Sequence, residues 1–484
     1  MPYNKEFTMK KKRVSCLIFI ALIMIFSSCS PGPIVPAAQT PEPTVSQAPS
    51  ATAAPTPAEG GVITVYDYTS DTANIIKKYV ELHPDFPYTI NAPIGGMYEG
   101  SYTQALDDAL TGKSTDTVDI YCVEQSFVSR YTQGEMAGYA MPYNDLIPDA
   151  DAKIAAAKIA PHIAEVGTRP ADNTVVGLAY QNTAGVFIYR RSIAKETWGT
   201  DDPVVIAAKV GPGWDKFFSA AEELKQKGYR IVSGDGDIWH SIENSADKGW
   251  VVDGKLTIDP KREAFLDYAK ELKDKKYSNG TIDWTDEWYA DMAGIGDREV
   301  FGFFGPSWLI GYVMSNNHMD RDENGNLKKS LDGDWAVCEP SVGFFWSGAW
   351  VLASNTLKND PAKKAAIAEL IDWITLQCGD DSLQSLWANG TLYGSGGVKD
   401  AVASEMVMAN SDGTLDFLAG QNIFDTIILA DRHINVNNVT EYDLEISAIW
   451  RIHVRKYVDG ECSRDEAIAA FKQEVKNQLK IDAY

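Results

Sequence analysis

Val62-Ile63-Thr64-Val65-Tyr66 is a run of β-branched and aromatic residues, and the polar stretch Asp67-Tyr68-Thr69-Ser70 follows it. The run predicts a short buried strand, because such residues favour the pleated β conformation. Ser70 or Asp71 can cap a helix, and the apolar face of that helix carries Ile75, Ile76, Tyr79 and Val80. A second strand is expected over residues 88–92. This strand, helix, strand order predicts a right-handed crossover and a parallel pair of strands.

The same order continues along the chain. Residues 118–123 predict a third strand, and a helix begins near Ser126. Further strands are expected at 175–180, 185–189, 229–232, 300–304, 335–340 and 348–353. From Ala362 onward the pattern is almost wholly helical. The alternation predicts an α/β fold with mixed, mainly parallel sheets and helices on both faces.

Two lobes are expected, because a chain of 484 residues can bury more than one core. We expect lobe 1 to combine residues 61–182 with about 291–350. Lobe 2 is expected to combine residues 183–290 with about 351–484. A hinge is predicted where the chain passes between them, near Gln181 and Asn182.

The N-terminal residues predict export and anchoring. Residues 1–29 are expected to be a signal peptide, because Lys10 to Arg13 are basic and the apolar stretch after them is too short to span a bilayer. Phe26-Ser27-Ser28-Cys29 resembles a bacterial lipobox, which implies a lipid anchor at Cys29. Residues 30–60, rich in Pro, Ala, Thr and Ser, predict an extended tether. The alternative is a buried helix with an incidental cysteine.

Charge and cysteine spacing exclude several classes of function. The formal net charge is −23 and no basic stripe follows residue 13, so nucleic acid is not an expected partner. The irregular spacing of four cysteines fits neither a zinc site nor a redox pair, and we expect small buried side chains at Cys122, Cys338, Cys378 and Cys462. The six histidines also lack metal-ligand spacing. Neither a metal nor a cofactor is expected.

Five blocks follow one another in a characteristic order: Thr117 to Val123, Val175 to Tyr180, Phe187 to Arg190, Gly302 to Trp308 and Trp335 to Pro340. Together they resemble the extracellular solute-binding proteins of carbohydrate ABC transporters, the family 1 group that includes maltose-binding protein. The resemblance covers roughly residues 61–480 and lies in the order of the blocks. It implies a two-lobe periplasmic-binding-protein fold that captures a sugar between its lobes and delivers it to permease subunits. A monomer without enzymatic activity is expected.

A sugar offers flat C–H faces and a fringe of hydroxyls, so its site needs aromatic planes and side chains that donate and accept hydrogen bonds. Tyr68 and Ser70 follow the first strand, where open α/β sheets bind ligands, and Gln125 follows the third. Helix capping is the alternative role for Ser70. Tyr180 precedes the hinge, where cleft and core positions are equally compatible with the sequence.

The stretch from Ser233 to His240 is the most ligand-like, because two glycines bring the backbone close while Asp235 and Asp237 can accept hydroxyl bonds beside Trp239. A tight turn is the alternative. Trp346 lies in a glycine-bounded aromatic triplet. The resemblance places Trp308 in an aromatic block that faces the cleft and Trp450 in a helix that closes over sugar. Core packing remains the alternative for Trp450.

Two other functions fit parts of the pattern. A secreted glycoside hydrolase would use two carboxylates among Asp235, Asp237 and Asp286. The order of the blocks and the absence of eight repeated strand–helix units argue against it. A surface protein that senses sugars would use the same lobes to signal. Trp284 and Trp288 flank an acidic pair and have no predicted role.

Overall fold

The computed structural model describes residues 60–94 and 99–483. The predicted signal peptide, Cys29 and the tether up to residue 59 lie outside the described residues. The strands are β1 Val62–Asp67, β2 Thr89–Ile94, β3 Ile120–Glu124, β4 Thr168–Arg169, β5 Thr174–Val175, β6 Gly177–Ala179, β7 Val186–Arg190, β8 Val251–Val252, β9 Lys255–Leu256, β10 Gly302–Gly305, β11 Met319–Arg321, β12 Leu327–Ser330, β13 Trp335–Cys338, β14 Ala349–Ala353, β15 Thr414–Leu415, β16 Gln421–Asn422 and β17 Asp482–Ala483.

The helices alternate with these strands in the first half of the chain and dominate the second half. They are α1 Asp71–Leu82, α2 Glu99–Leu110, α3 Gln125–Thr132, α4 Tyr143–Leu146, α5 Ala150–Ala157, α6 Pro161–Val166, α7 Arg191–Trp198, α8 Pro203–Val210, α9 Trp214–Gln226, α10 Gly236–Ser245, α11 Pro260–Glu263, α12 Phe265–Asp274, α13 Asp286–Met292, α14 Ser315–Asn317, α15 Pro361–Thr375, α16 Leu383–Ala388, α17 Glu405–Asn410, α18 Ile423–Ala430, α19 Asp443–Val458 and α20 Arg464–Leu479. A π-helical segment, Leu309–Met314, runs directly into α14.

The first lobe is built on a five-stranded sheet in the order β2-β1-β3-β14-β6. β1 pairs in parallel with β2 and β3, as the opening run predicted, whereas β14 is antiparallel to β3 and β6. Tyr102 on α2 joins the ends of β1 and β3, because its hydroxyl lies 3.0 Å from the Tyr66 carbonyl oxygen and 2.6 Å from that of Cys122. This buried contact fixes the edge of the sheet where β1 and β3 end.

The second lobe has β7 at its centre, between β10 and β13, and both pairs are antiparallel. Successive side chains of β7 point to opposite faces. Phe187 and Tyr189 therefore enter one hydrophobic cluster with α9, α12, α19 and α20. Val186 and Ile188 enter another with α18. This strand is buried on both faces, which explains its continuous apolar sequence.

The expected lobe boundaries differ from the observed strand pairing. The segment 291–350 was expected in lobe 1, but its strands β10 and β13 pair with β7 of the second lobe. β14, which spans the expected boundary near residue 350, and α15 belong to the core of the first lobe, although about 351–484 was expected in lobe 2. The boundaries differ because the local pattern predicts strands but not their partners. The α/β fold with mixed sheets is confirmed, although antiparallel pairs outnumber parallel ones among the described strands.

Candidate functional site

The two lobes are joined where residues 181–185 run beside residues 344–348. Ala184 and Phe345 form an antiparallel bridge, and the Trp346 amide donates to the Thr183 carbonyl oxygen at 3.1 Å. The Thr183 hydroxyl donates to the Ser347 carbonyl oxygen at 2.8 Å. Gly185 permits this approach, since a Cβ there would lie 1.9 Å from Phe344 Cζ. We call this pair of segments the interlobe crossing.

Three tryptophans meet beside the crossing and form what we call the tryptophan cluster: Trp284, Trp308 and Trp346. The Trp284 and Trp308 rings are 6.1 Å apart at their centroids and lie within 9° of parallel. Trp346 stands across both, with its centroid 5.9 Å from Trp284 and 4.8 Å from Trp308. All three side chains are partly exposed, so aromatic surface remains available to a ligand.

The backbone that carries the cluster departs from regular geometry. Trp284 has φ of 67° and Ser347, next to Trp346, has φ of 66°. A residue other than glycine is uncommon in this region and costs about 1–3 kcal/mol, and such strain concentrates at binding sites. Trp308 immediately precedes the π-helical segment, a form also frequent at functional sites. The Trp308 indole nitrogen donates to the Trp346 carbonyl oxygen at 3.1 Å and fixes one ring against the other.

The first lobe reaches the cluster through the start of α3. Gln125 Oε1 accepts a hydrogen bond from the Ser347 amide at 2.7 Å. Glu124 caps α3 by accepting from the Ser126 amide at 2.8 Å. Burial raises the pKa of the Glu124 carboxyl, while hydrogen bonds from Ser126 and the electrostatic influence of the nearby His240 oppose the shift. The hydrogen bond from Ser347 holds Gln125 against the interlobe crossing, so Gln125 links the first lobe to the cluster.

His240 from the second lobe completes the wall around Trp346. Its ring stacks on Trp346 with centroids 4.4 Å apart and planes 23° apart. Trp239, the preceding residue, is buried against Phe265 instead. The difference follows from helical geometry, because successive residues of α10 point about 100° apart. His240, absent from the predicted site, takes the position that was expected for Trp239.

The predicted acidic residues of this stretch are engaged within the second lobe. Asp235 forms an ion pair with Arg455. Asp237 accepts from the Gly234 amide at 2.8 Å and from the Trp288 indole nitrogen at 3.0 Å. The alternative of a tight turn therefore describes both side chains. Trp450 is fully buried against Trp250 and Phe471, as its core alternative predicted.

The remaining predicted residues lie in the first lobe. Tyr68 is buried edge-on against Tyr102 and Phe127, with centroids 6.1 Å and 5.8 Å away. Ser70 is partly exposed, has φ of 81° and makes no side-chain cap to α1. Asp67 performs that task, since its carboxylate accepts from the Ala73 amide at 2.9 Å. Tyr180 is buried against Trp387.

Among residues 60–94 and 99–483, no group of three or more His, Cys, Asp or Glu side chains is placed to hold a metal ion. In that same part of the chain, no helix combines the length and apolar character needed to cross a membrane. Two cavities, of about 460 Å³ and 580 Å³, lie away from the tryptophan cluster.

The family of bacterial extracellular solute-binding proteins matches residues 74–412, and the chain belongs to this family. No curated protein sequence matches the chain. A solved extracellular solute-binding protein of family 1 has a TM-score of 0.67 at 16% identity, over 86% of this chain and 99% of the other. These matches confirm the resemblance drawn from the order of the sequence blocks.

Two sugar-binding proteins of ABC transporters share the fold. The galacto-N-biose/lacto-N-biose I-binding protein of Bifidobacterium longum, in complex with lacto-N-biose, has a TM-score of 0.59 at 15% identity, over 87% of this chain and 98% of its own. A transporter-associated binding protein of B. animalis subsp. lactis, in complex with β-1,6-galactobiose, has a TM-score of 0.56 at 18% identity, over 87% and 97%. The two-lobe periplasmic-binding-protein fold is thereby confirmed.

Asp237 provides a pH-dependent test of the turn at the start of α10. Burial raises the pKa of its carboxyl to about 7, well above the value of about 3.9 in an unfolded chain. Its contribution to stability is therefore complete below about pH 4 and is lost as the pH rises through 7. Between pH 5 and 8, the free energy of unfolding of the wild type should fall by about 2–3 kcal/mol relative to Asp237→Asn, measured by urea denaturation.

Asp332→Asn, at an exposed position, is the matched control and should show no such pH-dependent difference from the wild type. A constant difference between wild type and Asp237→Asn across this pH range would contradict the titration of a buried carboxyl.

Proposed function

We propose that this protein captures a sugar or oligosaccharide at the tryptophan cluster, closes its lobes around it and delivers it to the permease of an ABC transporter. The observation that carries the proposal is the convergence of three partly exposed tryptophans beside the interlobe crossing. Trp308 and Trp346 are proposed to stack on the sugar, with Gln125 as a hydroxyl partner. Trp284 and His240 join them on geometric grounds.

The proposed affinity follows from the chemistry of the cluster. Covering a large aromatic face contributes roughly 1.5–3 kcal/mol by apolar area alone. Two or three such faces and several hydroxyl hydrogen bonds correspond to micromolar binding, about −8 kcal/mol, after the entropy of association is subtracted. No covalent step is needed for this function.

The proposed closure uses the crossing as its hinge. A ligand that touches Gln125 of the first lobe and His240 of the second makes its full set of contacts only when the lobes are close. It therefore shifts the population toward the closed form, which the permease would recognise. The lacto-N-biose and β-1,6-galactobiose of the two fold neighbours support a carbohydrate as the ligand class.

A glycoside hydrolase is the alternative from another class, and the carboxylates favour binding over catalysis. Asp235 and Asp237 are held by Arg455, Gly234 and Trp288. Asp286 is exposed in the first turn of α13. We therefore propose capture without turnover. Sensing by a surface protein would use the same capture step.

The Trp308→Ala variant tests the site directly. Sugars that raise the melting temperature of the wild type are first selected from lacto-N-biose, β-1,6-galactobiose, maltose and monosaccharides. Calorimetry should then show binding to Trp308→Ala weakened tenfold or more, about 1.4 kcal/mol, because one stacking face is lost.

Trp198→Ala is the matched control, since Trp198 is also partly exposed and its indole nitrogen is bound by Glu223, outside the cluster. It should leave the affinity unchanged. Equal affinity of Trp308→Ala and wild type would remove Trp308 from the site. Release of smaller sugars during the incubation, seen by chromatography, would favour the hydrolase.

We further propose that Cys29 carries a lipid and that residues 30–60 act as a tether, which places a monomeric binding domain at the outer face of the cell membrane. The extracellular character of the family supports this placement.

In a bacterial expression host, Cys29→Ser should move the protein from the membrane fraction to the soluble fraction, measured by fractionation and immunoblotting. An unchanged membrane fraction would contradict the anchor at Cys29, and Cys462→Ser, at the opposite end of the chain, is the control.

A further inference from the structure

The second lobe contains a cavity of about 460 Å³ that is separate from the tryptophan cluster. Side chains from α12, α19 and the loops at 276–280 and 297–298 line it. None of the three cluster tryptophans is among its lining residues. The cavity is therefore a distinct surface feature, and its lining is dominated by charge.

The charges around this cavity do not balance. Asp235 is paired with Arg455, and Asp459 is paired with Lys273 at 2.6 Å. Three further cations line the cavity without any ion pair in the described part of the chain: Arg230, Lys276 and Arg298. Asp297 is the remaining carboxylate of the lining. Three cations thus face one carboxylate, a local positive excess in a chain of net charge −23.

Arg230 is the least exposed of these three cations, since it is partly exposed whereas Lys276 and Arg298 are exposed. Its guanidinium makes one hydrogen bond within the described residues, to the carbonyl oxygen of Tyr229 at 3.4 Å. A guanidinium has five N–H donors, so most of them are free to meet a ligand. Burial lowers the pKa of Arg230 and the charge of Arg298 lowers it further, although Asp297 acts in the opposite sense. An anion between the two arginines would relieve both effects.

Three other arginines of the second lobe each have a carboxylate partner. Arg190 is paired with Asp334 at 2.6 Å, Arg451 with Asp283 at 2.7 Å and Arg464 with Glu263 at 2.9 Å. The acidic composition of the chain makes a carboxylate partner easy to supply, yet Arg230 and Arg298 lack one among the described residues. The contrast points to a partner outside the chain.

We propose that this cavity binds a phosphate group through Arg230 and Arg298, with Lys276 as an additional cation. Guanidinium groups bind phosphate oxygens in a bidentate manner and lose less hydration than ammonium groups, so two arginines suit this anion. The volume exceeds that of a free phosphate, and a phosphate carried by a larger molecule also fits. The site is independent of the proposed sugar site.

Calorimetry with inorganic phosphate at constant ionic strength tests the proposal, with sodium chloride as the compensating salt. The wild type should give saturable binding of one phosphate per chain. The Arg230→Gln/Arg298→Gln double variant should bind about tenfold more weakly or worse, because both charge-assisted contacts are lost. Arg464→Gln removes a paired arginine of the same lobe and should leave phosphate binding unchanged.

Further arms separate the outcomes. Arg230→Lys should retain part of the phosphate affinity, which distinguishes lost charge from misfolding. Trp308→Ala should bind phosphate as the wild type does, so failure of the sugar proposal leaves this result intact. Co-sedimentation with phosphatidylglycerol vesicles, but not with phosphatidylcholine vesicles, and its loss in the double variant would identify a lipid headgroup as the phosphate source. No saturable binding to either probe, or equal binding by wild type and double variant, would overturn the proposal.

Discussion

The close pairing of two chain segments between the lobes sets the position of the tryptophan cluster. Gly185 allows residues 181–185 to approach residues 344–348, and the bonds of Thr183 with Trp346 and Ser347 set their register. Gln125 then binds the same segment from the first lobe. Because Trp346 lies on this crossing, any movement between the lobes also moves an aromatic plane of the cluster. We propose that capture of a ligand and motion of the lobes are coupled at this point.

The cluster also shows how surface and core are assigned within one helix. On α10, Trp239 packs into the second core, while His240 stacks on Trp346. At the start of this helix, Asp235 is paired with Arg455 and Asp237 accepts a hydrogen bond from Trp288. Both contacts stabilise the turn that begins the helix. A rigid base therefore supports partly exposed rings, the arrangement that recognition of an uncharged sugar requires.

Much of the fold could be predicted from the sequence, since the β-branched run at 62–66 and the helix after it form β1 and α1 as expected. Trp346 could be singled out because an aromatic residue beside glycine and serine is poorly explained as core, and Trp308 because the family resemblance places it in a block that faces the cleft. Strand partners could not be predicted, because the pairing of β10 and β13 with β7 depends on where the chain crosses between lobes. No role could be predicted for Trp284, because no local sequence pattern indicates its φ of 67°. His240 was missed because the exact start of α10 decides which side chain faces the cluster.

The coupling between capture and lobe motion is tested most directly by small-angle X-ray scattering of the purified protein, measured alone and saturated with a sugar that stabilises it. Coupling of this kind predicts a smaller radius of gyration with sugar, because the ligand would hold both lobes around the cluster. An unchanged radius of gyration under saturation, with binding verified by calorimetry in the same buffer, would contradict it.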